Sequence, residues 1–130
     1  MREIHPRIML KIGFIFESHD SVILMLEKNN YSPFRDACSH SRIEVAQYLV
    51  DTVIHFYPEK LREMLFSNHD SAFWDAIRNG KIDVLKFLMN ISIKHFPEEM
   101  PNYIRMFNIC RNTNNKEITD YLDGLAMFYC

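Results

Sequence analysis

Glycine is scarce in this sequence, with three residues at Gly13, Gly80 and Gly124. A loop that wraps the phosphates of a nucleotide needs several closely spaced glycines, so the sequence contains no loop of that kind. Long hydrophobic runs are missing as well. The longest, at 21–26 and 125–130, fall far short of the roughly 20 apolar residues that cross a bilayer, and the sequence therefore predicts no membrane span.

Cysteine is limited to Cys38, Cys110 and Cys130, with no C-x-x-C spacing. An odd number of cysteines leaves at least one unpaired, and the sequence shows no secretory signal pattern. We therefore expect an intracellular, reducing compartment, with the cytoplasm as the predicted location. The host cytoplasm is the corresponding expectation if the chain comes from a pathogen or a virus.

A strong charge of either sign is also absent, because 15 basic and 17 acidic residues give a formal charge of −2. No basic run is longer than a pair, so nucleic acid and anionic membrane surfaces are not predicted partners. What the chain does have is apolar content, at 48% of 130 residues. This is enough for one folded core, and we predict a single domain over 1–130.

The main positive feature is a pattern that the chain repeats. Seven positions of the segment 71–90 recur in residue type 39 positions earlier, namely Phe73, Ala76, Ile82, Asp83, Val84, Phe87 and Leu88 on Phe34, Ala37, Ile43, Glu44, Val45, Tyr48 and Leu49. A weaker copy follows 34 positions later, on Phe107, Cys110, Lys116, Glu117, Ile118, Tyr121 and Leu122, with Lys116 as the exception. A period in the thirties indicates an array whose units bury their apolar faces against their neighbours.

In the first unit, Ser32 and Pro33 predict the start of a short helix over 33–40, with the serine hydroxyl accepting a free amide proton. Apolar residues at three- and four-residue intervals predict a longer helix over 42–56. Pro58 ends that helix and opens the next. The chain before this unit holds two apolar runs, 8–16 and 22–26, of which the second is predicted to be helical from Ser18 or Asp20 and to stop at 27–30.

The second unit repeats this plan, with Asp70 or Ser71 as cap, a turn at Asn79-Gly80 and a long helix over 81–95. Phe96-Pro97 corresponds to Tyr57-Pro58 at the same offset of 39. The third unit is predicted to hold helices over 103–113 and 117–127. We expect Pro101 to make the helix after it less regular than its counterpart in the preceding unit. Asn114 and Asn115 are expected to turn in the left-handed region, as glycine would.

These patterns predict an all-α helical repeat of about three units with an N-terminal helical cap. The predicted boundaries are 1–30 for the cap, 31–69 and 70–103 for the first two units, and 104–130 for the third unit with the C-terminal cap. No strand is predicted after residue 30.

Two stretches resemble the ankyrin repeat. Ser32-Pro33-Phe34-Arg35 matches the Thr-Pro-Leu-His opening of that family in type, and 78–88 matches its glycine turn and following helix. The resemblance covers roughly 31–122. It departs from the family because the β-hairpin finger segment is absent and a proline-led helix stands in its place. The chain thus looks like a divergent ankyrin-like α-solenoid with lengthened repeats, of the kind found in intracellular bacteria and large DNA viruses.

The resemblance implies that the short first helices line a concave face that contacts a partner protein. Carried over residue by residue, the implied partner-binding positions are Arg35, Ser39, His40, Trp74, Arg78, Asn79, Asn108, Asn112 and Thr113. Trp74 has two readings, as an interface anchor or as a residue packed into the neighbouring repeat. Phe34, Phe73 and Phe107 recur at the position that must face the next helix, and they are predicted to be core.

Enzyme chemistry has little support in the sequence. Cys38 and His40 lie near Asp36, but Cys38 follows a core alanine, so a half-buried thiol is expected rather than a nucleophile. The six histidines show no metal-binding spacing. We therefore predict no catalytic residue, cofactor or metal, and a non-enzymatic protein-binding module. The alternative is a self-associating structural or regulatory unit, or a fragment of a larger pathogen or viral effector, because the apolar end at 125–130 needs a covering surface or folds back.

Overall fold

The computed structural model of the chain describes residues 19–129, with side chains from residue 23 onward. The predicted apolar run at 8–16 and the cap at Ser18 lie outside the described residues. The helices are α1 (His19–Ser39), α2 (Ile43–Phe56), α3 (Leu61–Leu65), α4 (Ser67–Arg78), α5 (Ile82–His95), α6 (Met100–Cys110) and α7 (Lys116–Tyr129), with 3-10 turns at Pro58–Lys60 and Pro97–Glu99. Between residues 19 and 129 no strand occurs, so the all-α prediction is confirmed for this part.

The described residues divide into two compact units, with the boundary between residues 71 and 72. The core of the first unit is formed by Leu26, Phe34, Ala37, Ala46, Leu49, Val50, Val53, Met64 and Leu65. The core of the second is formed by Phe73, Ala76, Ile77, Val84, Leu85, Leu88, Met89, Met100, Ile104, Phe107, Ile118 and Leu122. The three recurring phenylalanines are fully buried, which confirms their predicted place in the core.

The long helices α2 and α5 begin and end at positions 39 apart, and each has 14 residues. The residues before them also match, since Ser41 and Gly80 both have a left-handed backbone, with φ of 58° and 68°. In each case the next amide closes the preceding helix: Arg42 N donates to Ala37 O at 2.7 Å. The corresponding bond in the second unit joins Lys81 N to Ala76 O at 2.9 Å. This is the bond pattern that ends helices at a left-handed residue, so the predicted turn at Gly80 is confirmed.

Both α1 and α4 are interrupted by three consecutive left-handed residues, again 39 positions apart. The interruptions are at Asn29–Tyr31, with φ of 55° to 60°, and at Asn68–Asp70, with φ of 54° to 61°. The first confirms the predicted stop near 27–30. Asparagine suits this conformation better than most residues. The Arg35 guanidinium holds the first interruption, because it donates to Asn29 O at 2.6 Å and to Asn30 O at 2.8 Å.

The predicted caps in these segments were wrong in detail. Ser32 Oγ donates a hydrogen bond to Lys28 O at 3.2 Å instead of accepting one from a free amide. Asp70 has a φ of 61°, whereas a cap residue has an extended backbone. The reason is the same in both cases: the interruption supplies the turn geometry, so the chain re-enters the helix without a capping side chain.

The third copy of the pattern lacks an interruption. In place of a short helix, a left-handed turn and a second helix, α6 runs without a break from Met100 to Cys110. The offset between copies is 39 up to Met100 and 34 at Phe107, so the loss of five positions accounts for the missing turn. Pro101 lies in the first helical turn, where its missing amide removes no bond, and the expected irregularity there was wrong.

The prediction of a left-handed turn at Asn114 and Asn115 was also wrong. The chain leaves α6 through Arg111, which is extended with φ −60° and ψ 130°, and neither asparagine has a positive φ. Asn115 instead caps α7, because its Oδ1 accepts from Ile118 N at 3.0 Å. Thr113 Oγ1 in turn accepts from Asn115 N at 3.1 Å. Asn115 thus starts a helix instead of adopting a left-handed turn.

Among residues 19–129 no helix has both the length and the apolar content needed to cross a membrane.

Candidate functional site

The second unit carries an aromatic and basic surface on α4. Trp74 and Arg78 are four residues apart, which places them on one face of the helix. Trp74 is half-buried and Arg78 is exposed. The Arg78 guanidinium carbon lies 5.7 Å from the centre of the Trp74 ring, within the range of a cation–π contact. We call Trp74, Arg78 and the following Asn79 the Trp74 surface.

The indole ring is fixed from below by the core of the same unit. Trp74 meets Phe107 edge to face, with ring centres 5.1 Å apart and an angle of 87°. Phe107 is fully buried and stacks on Phe73 at 5.3 Å. Tyr103 flanks Phe107 at 6.0 Å. Trp74 thus packs against a buried ring on one side while part of its surface faces solvent.

Hydrogen bonding divides the polar groups of the Trp74 surface into occupied and available ones. Asn79 Nδ2 donates to Asp75 Oδ1 at 2.9 Å, so the only carboxylate next to this surface on α4 already has a partner. For the Arg78 guanidinium, no acceptor is found within hydrogen-bond reach in the described part of the chain. The guanidinium therefore contacts Trp74 without a hydrogen-bond partner, on an exposed side chain.

The predicted residues of the third copy serve mostly to join α6 to α7. Asn108 Nδ2 donates to Ile104 O and to Leu122 O, both at 3.0 Å. Arg111 bridges Asn108 Oδ1 at 2.7 Å and Asp123 Oδ1 at 2.8 Å. Thr113 is half-buried beside the cap of α7, whereas Asn112 is exposed. Of these positions, Asn112 is the one that faces solvent freely.

The predicted residues of the first unit lie together on the last turns of α1. Arg35 is engaged by the backbone of 29–30, as described above, and Ser39 is half-buried. His40 is exposed, and its Nδ1 lies 2.8 Å from the backbone oxygen of Asp36. Cys38 has 2% of its surface exposed, so the thiol is fully buried rather than half-buried as expected.

A cleft of about 380 Å³ in the first unit was not predicted from the sequence. Its wall includes Tyr31, whose hydroxyl donates to Glu63, and Glu27. Burial, followed by the hydrogen bond and charge of Glu63 and then by the charge of Glu27, raises the pKa of Tyr31 above its usual range. Arg62 lies 5.5 Å above the Phe66 ring at the same cleft. The recurrence of Asn29-Asn30 and Asn68-His69 at the offset of 39 was the signal that could have located its two turns.

In residues 19–129, no group of three or more His, Cys, Asp or Glu side chains is placed to hold a metal ion. In comparisons with known proteins, the chain matches no family model, no curated protein and no solved structure. The function proposed below therefore rests on the structure of the chain itself.

Proposed function

We propose that this chain is a non-enzymatic protein-binding module made of ankyrin-like helical units, and that its second unit contacts a partner protein through the Trp74 surface. Asn112, which the resemblance also placed at the interface, is exposed and available for the same role. Arg35 is assigned to the turn at 29–31 instead. A cytoplasmic location fits the proposal, since the exposed thiol of Cys110 persists in a reducing compartment.

The observation that carries the proposal is the exposed Arg78 stacked on a half-buried Trp74. Tryptophan and arginine are the residue types most enriched among those that dominate binding energy at interfaces. A side chain that already has packing contacts loses less freedom on binding, and here Trp74 packs against Phe107 and Arg78 contacts Trp74. Binding of a partner at the Trp74 surface therefore costs less side-chain entropy.

The ankyrin-like character of the units is supported by the recurrence of local structure. The long helices, the left-handed residues before them and the proline-led 3-10 turns after them all repeat at an offset of 39. Repetition of one supersecondary unit is what a helical array requires. The extra helix in place of the β-hairpin finger distinguishes these units from the family pattern.

Self-association is the second candidate, and one observation favours it. Met127 and Phe128, adjacent on the last turns of α7, are each 87% exposed. Two large apolar side chains at this exposure give a contact point for a second copy. In this case the chain is a structural or regulatory unit, alone or within a larger effector.

Affinity capture from a cell lysate tests the proposal. The wild-type chain is compared with the Trp74→Ala, Arg78→Ala double variant and with Lys94→Ala, a control that removes an exposed positive charge from α5. The proposal expects a protein that the wild type and Lys94→Ala retain and the double variant loses. Circular dichroism establishes that the double variant is folded. Equal retention by all three chains contradicts the proposal, and retention of the chain's own copies alone favours self-association.

A further inference from the structure

We infer that the partner segment received by the Trp74 surface is acidic, with an Asp or Glu carboxylate placed beside an apolar side chain. The carboxylate pairs with Arg78 and the apolar side chain covers the exposed part of Trp74. This inference rests on the proposed function, because it names the chemistry of the partner at the same surface.

The Arg78 guanidinium has no hydrogen-bond partner among the described residues. Arginine carries five N–H donors in a planar fork that matches a carboxylate, with two parallel hydrogen bonds. No side chain or backbone oxygen of the described residues accepts from that fork. The contact with Trp74, at 5.7 Å from the guanidinium carbon to the ring centre, is not a hydrogen bond, so it leaves the N–H donors available. The fork is therefore close to the indole ring and unoccupied.

The helices around the Trp74 surface carry few carboxylates that could pair with Arg78. The helix that lies under Trp74, α6, contains no Asp or Glu from Met100 to Cys110. On α4 beyond residue 71 the only acidic residue is Asp75, and Asn79 already donates to it. The two helix segments that build the surface thus supply no carboxylate that pairs with Arg78. A partner carboxylate can pair with Arg78 without displacing an existing pair.

The aromatic side chains at this surface are partly exposed to solvent. Trp74 is half-buried, and Tyr103 beside Phe107 is also half-buried. An aromatic surface that is partly exposed gains from contact with an apolar side chain, in proportion to the area removed from water. A carboxylate alone leaves this area wet. The occupant that fits both features carries an acidic and an apolar residue within reach of each other.

The test is selection of random peptides of about 12 residues, displayed on phage, against the immobilised full chain. Enriched sequences are expected to be net negative and to carry Asp or Glu near Leu, Phe, Tyr or Trp. Dissociation constants for the most enriched peptide are then measured by fluorescence polarisation on the wild type and its variants. Arg78→Ala is expected to weaken binding roughly tenfold to a hundredfold, the range for hydrogen bonds to charged groups.

Three further variants sharpen the test. Asp75→Asn removes the negative charge three residues before Arg78 while keeping an acceptor for Asn79, so binding of the acidic peptide should tighten several-fold. Arg78→Glu should abolish it. Lys94→Ala, an exposed charge on α5, should leave the dissociation constant unchanged. Affinity should also fall as salt rises, because the pair is solvent-accessible.

The outcomes separate this inference from the proposed function. Enriched peptides that depend on Trp74 but are neutral or basic, or acidic peptides that bind Arg78→Ala as tightly as wild type, overturn the acidic partner and leave the binding surface standing. If no peptide is enriched, or if enriched peptides bind the Trp74→Ala, Arg78→Ala double variant unchanged, both proposals are overturned.

Discussion

Several residues other than glycine have a left-handed backbone in this chain. Seven such residues occur in the described part of the chain: Asn29, Asn30, Tyr31, Ser41, Asn68, His69 and Asp70. Ser41 and Gly80 occupy equivalent positions with nearly the same φ, so they compare serine and glycine in one conformation. A left-handed residue with a Cβ costs roughly 1–2 kcal/mol. The first unit bears this cost and the second avoids it.

Substitutions at these two positions, Ser41→Gly and Gly80→Val, should change stability in opposite directions. Ser41→Gly relieves the strain but frees the unfolded chain by about 0.4–1 kcal/mol, so a net gain of roughly 0.5–1 kcal/mol is expected. Gly80→Val should cost about 2 kcal/mol or more. A Cβ at Gly80 lies 2.7 Å from Asn115 Nδ2, and that side chain is held by its role as the cap of α7. Urea unfolding measures both, and an unchanged midpoint for Gly80→Val contradicts the assigned turn.

Asp70 gives the chain a pH dependence that can be measured. Burial, offset in part by the charges of Arg62 and His69, raises the pKa of the Asp70 carboxyl above its usual value. An acid whose pKa is raised by folding binds protons more tightly in the native state. Its contribution to stability is therefore favourable at low pH and is lost as the pH rises through the folded pKa.

Asp70→Asn should accordingly raise the melting temperature at pH 7, with a difference that disappears below pH 3.8, the ordinary value of the group. Asparagine also tolerates the left-handed backbone at this position. Asp36→Asn, a carboxylate exposed on α1, is the charge-matched control. A melting temperature of Asp70→Asn that stays below that of wild type at neutral pH would show that the charge is stabilising and the assignment wrong.

Among the elements, the long helices α2 and α5 were predictable, whereas the left-handed interruptions of α1 and α4 were predictable only in part. The three- and four-residue spacing of apolar side chains predicted α2, and the recurrence of that pattern 39 positions later predicted α5, each to within a residue. The stop at 27–30 was predicted, but the left-handed backbone there depends on contacts such as Arg35 with 29–30, which the spacing of apolar residues does not reveal. The start of α7 was misread for a related reason, since asparagine serves equally as a turn residue and as a cap.

Removal of the cap at α7 is the test at this scale. Asn115→Ala deletes the acceptor for Ile118 N and should destabilise the chain by about 1 kcal/mol. Asn114→Ala, at the exposed neighbouring position, should change stability by no more than about 0.5 kcal/mol. Chemical denaturation of the two variants makes the comparison. Equal effects, or a larger effect at Asn114, would restore the turn that the sequence first suggested.

For the molecule as a whole, the repeat period was the most informative property of the sequence. The offset of 39 recurs in helix ends, turns and backbone angles, and its reduction to 34 corresponds to the uninterrupted α6. The candidate site was only partly predictable. Trp74 proved to be both packed and exposed, and the sequence could not reveal this because it depends on how Phe107 meets the ring. Arg35 and Asn108 had the right positions in the pattern but form internal hydrogen bonds.

Mass in solution decides between the two proposed functions at this scale. A binding module that acts as a single chain should have a mass of 15.6 kDa by light scattering at micromolar concentration. The self-associating alternative expects a multiple of this mass that falls to the monomer in a Met127→Asp, Phe128→Asp double variant, because both side chains are almost fully exposed. A multimer unaffected by these changes would place the contact elsewhere.

The most direct test of the central claim uses the fact that Trp74 is the only tryptophan in the sequence. Its indole N–H gives a single resolved signal in a nitrogen–proton correlation spectrum, which needs no further assignment. On addition of the captured partner, or of the best peptide from the selection, the account predicts that this signal shifts or broadens in the wild type. The same addition should leave it in place in Arg78→Glu. Binding that moves other signals while the indole signal stays fixed would contradict the account.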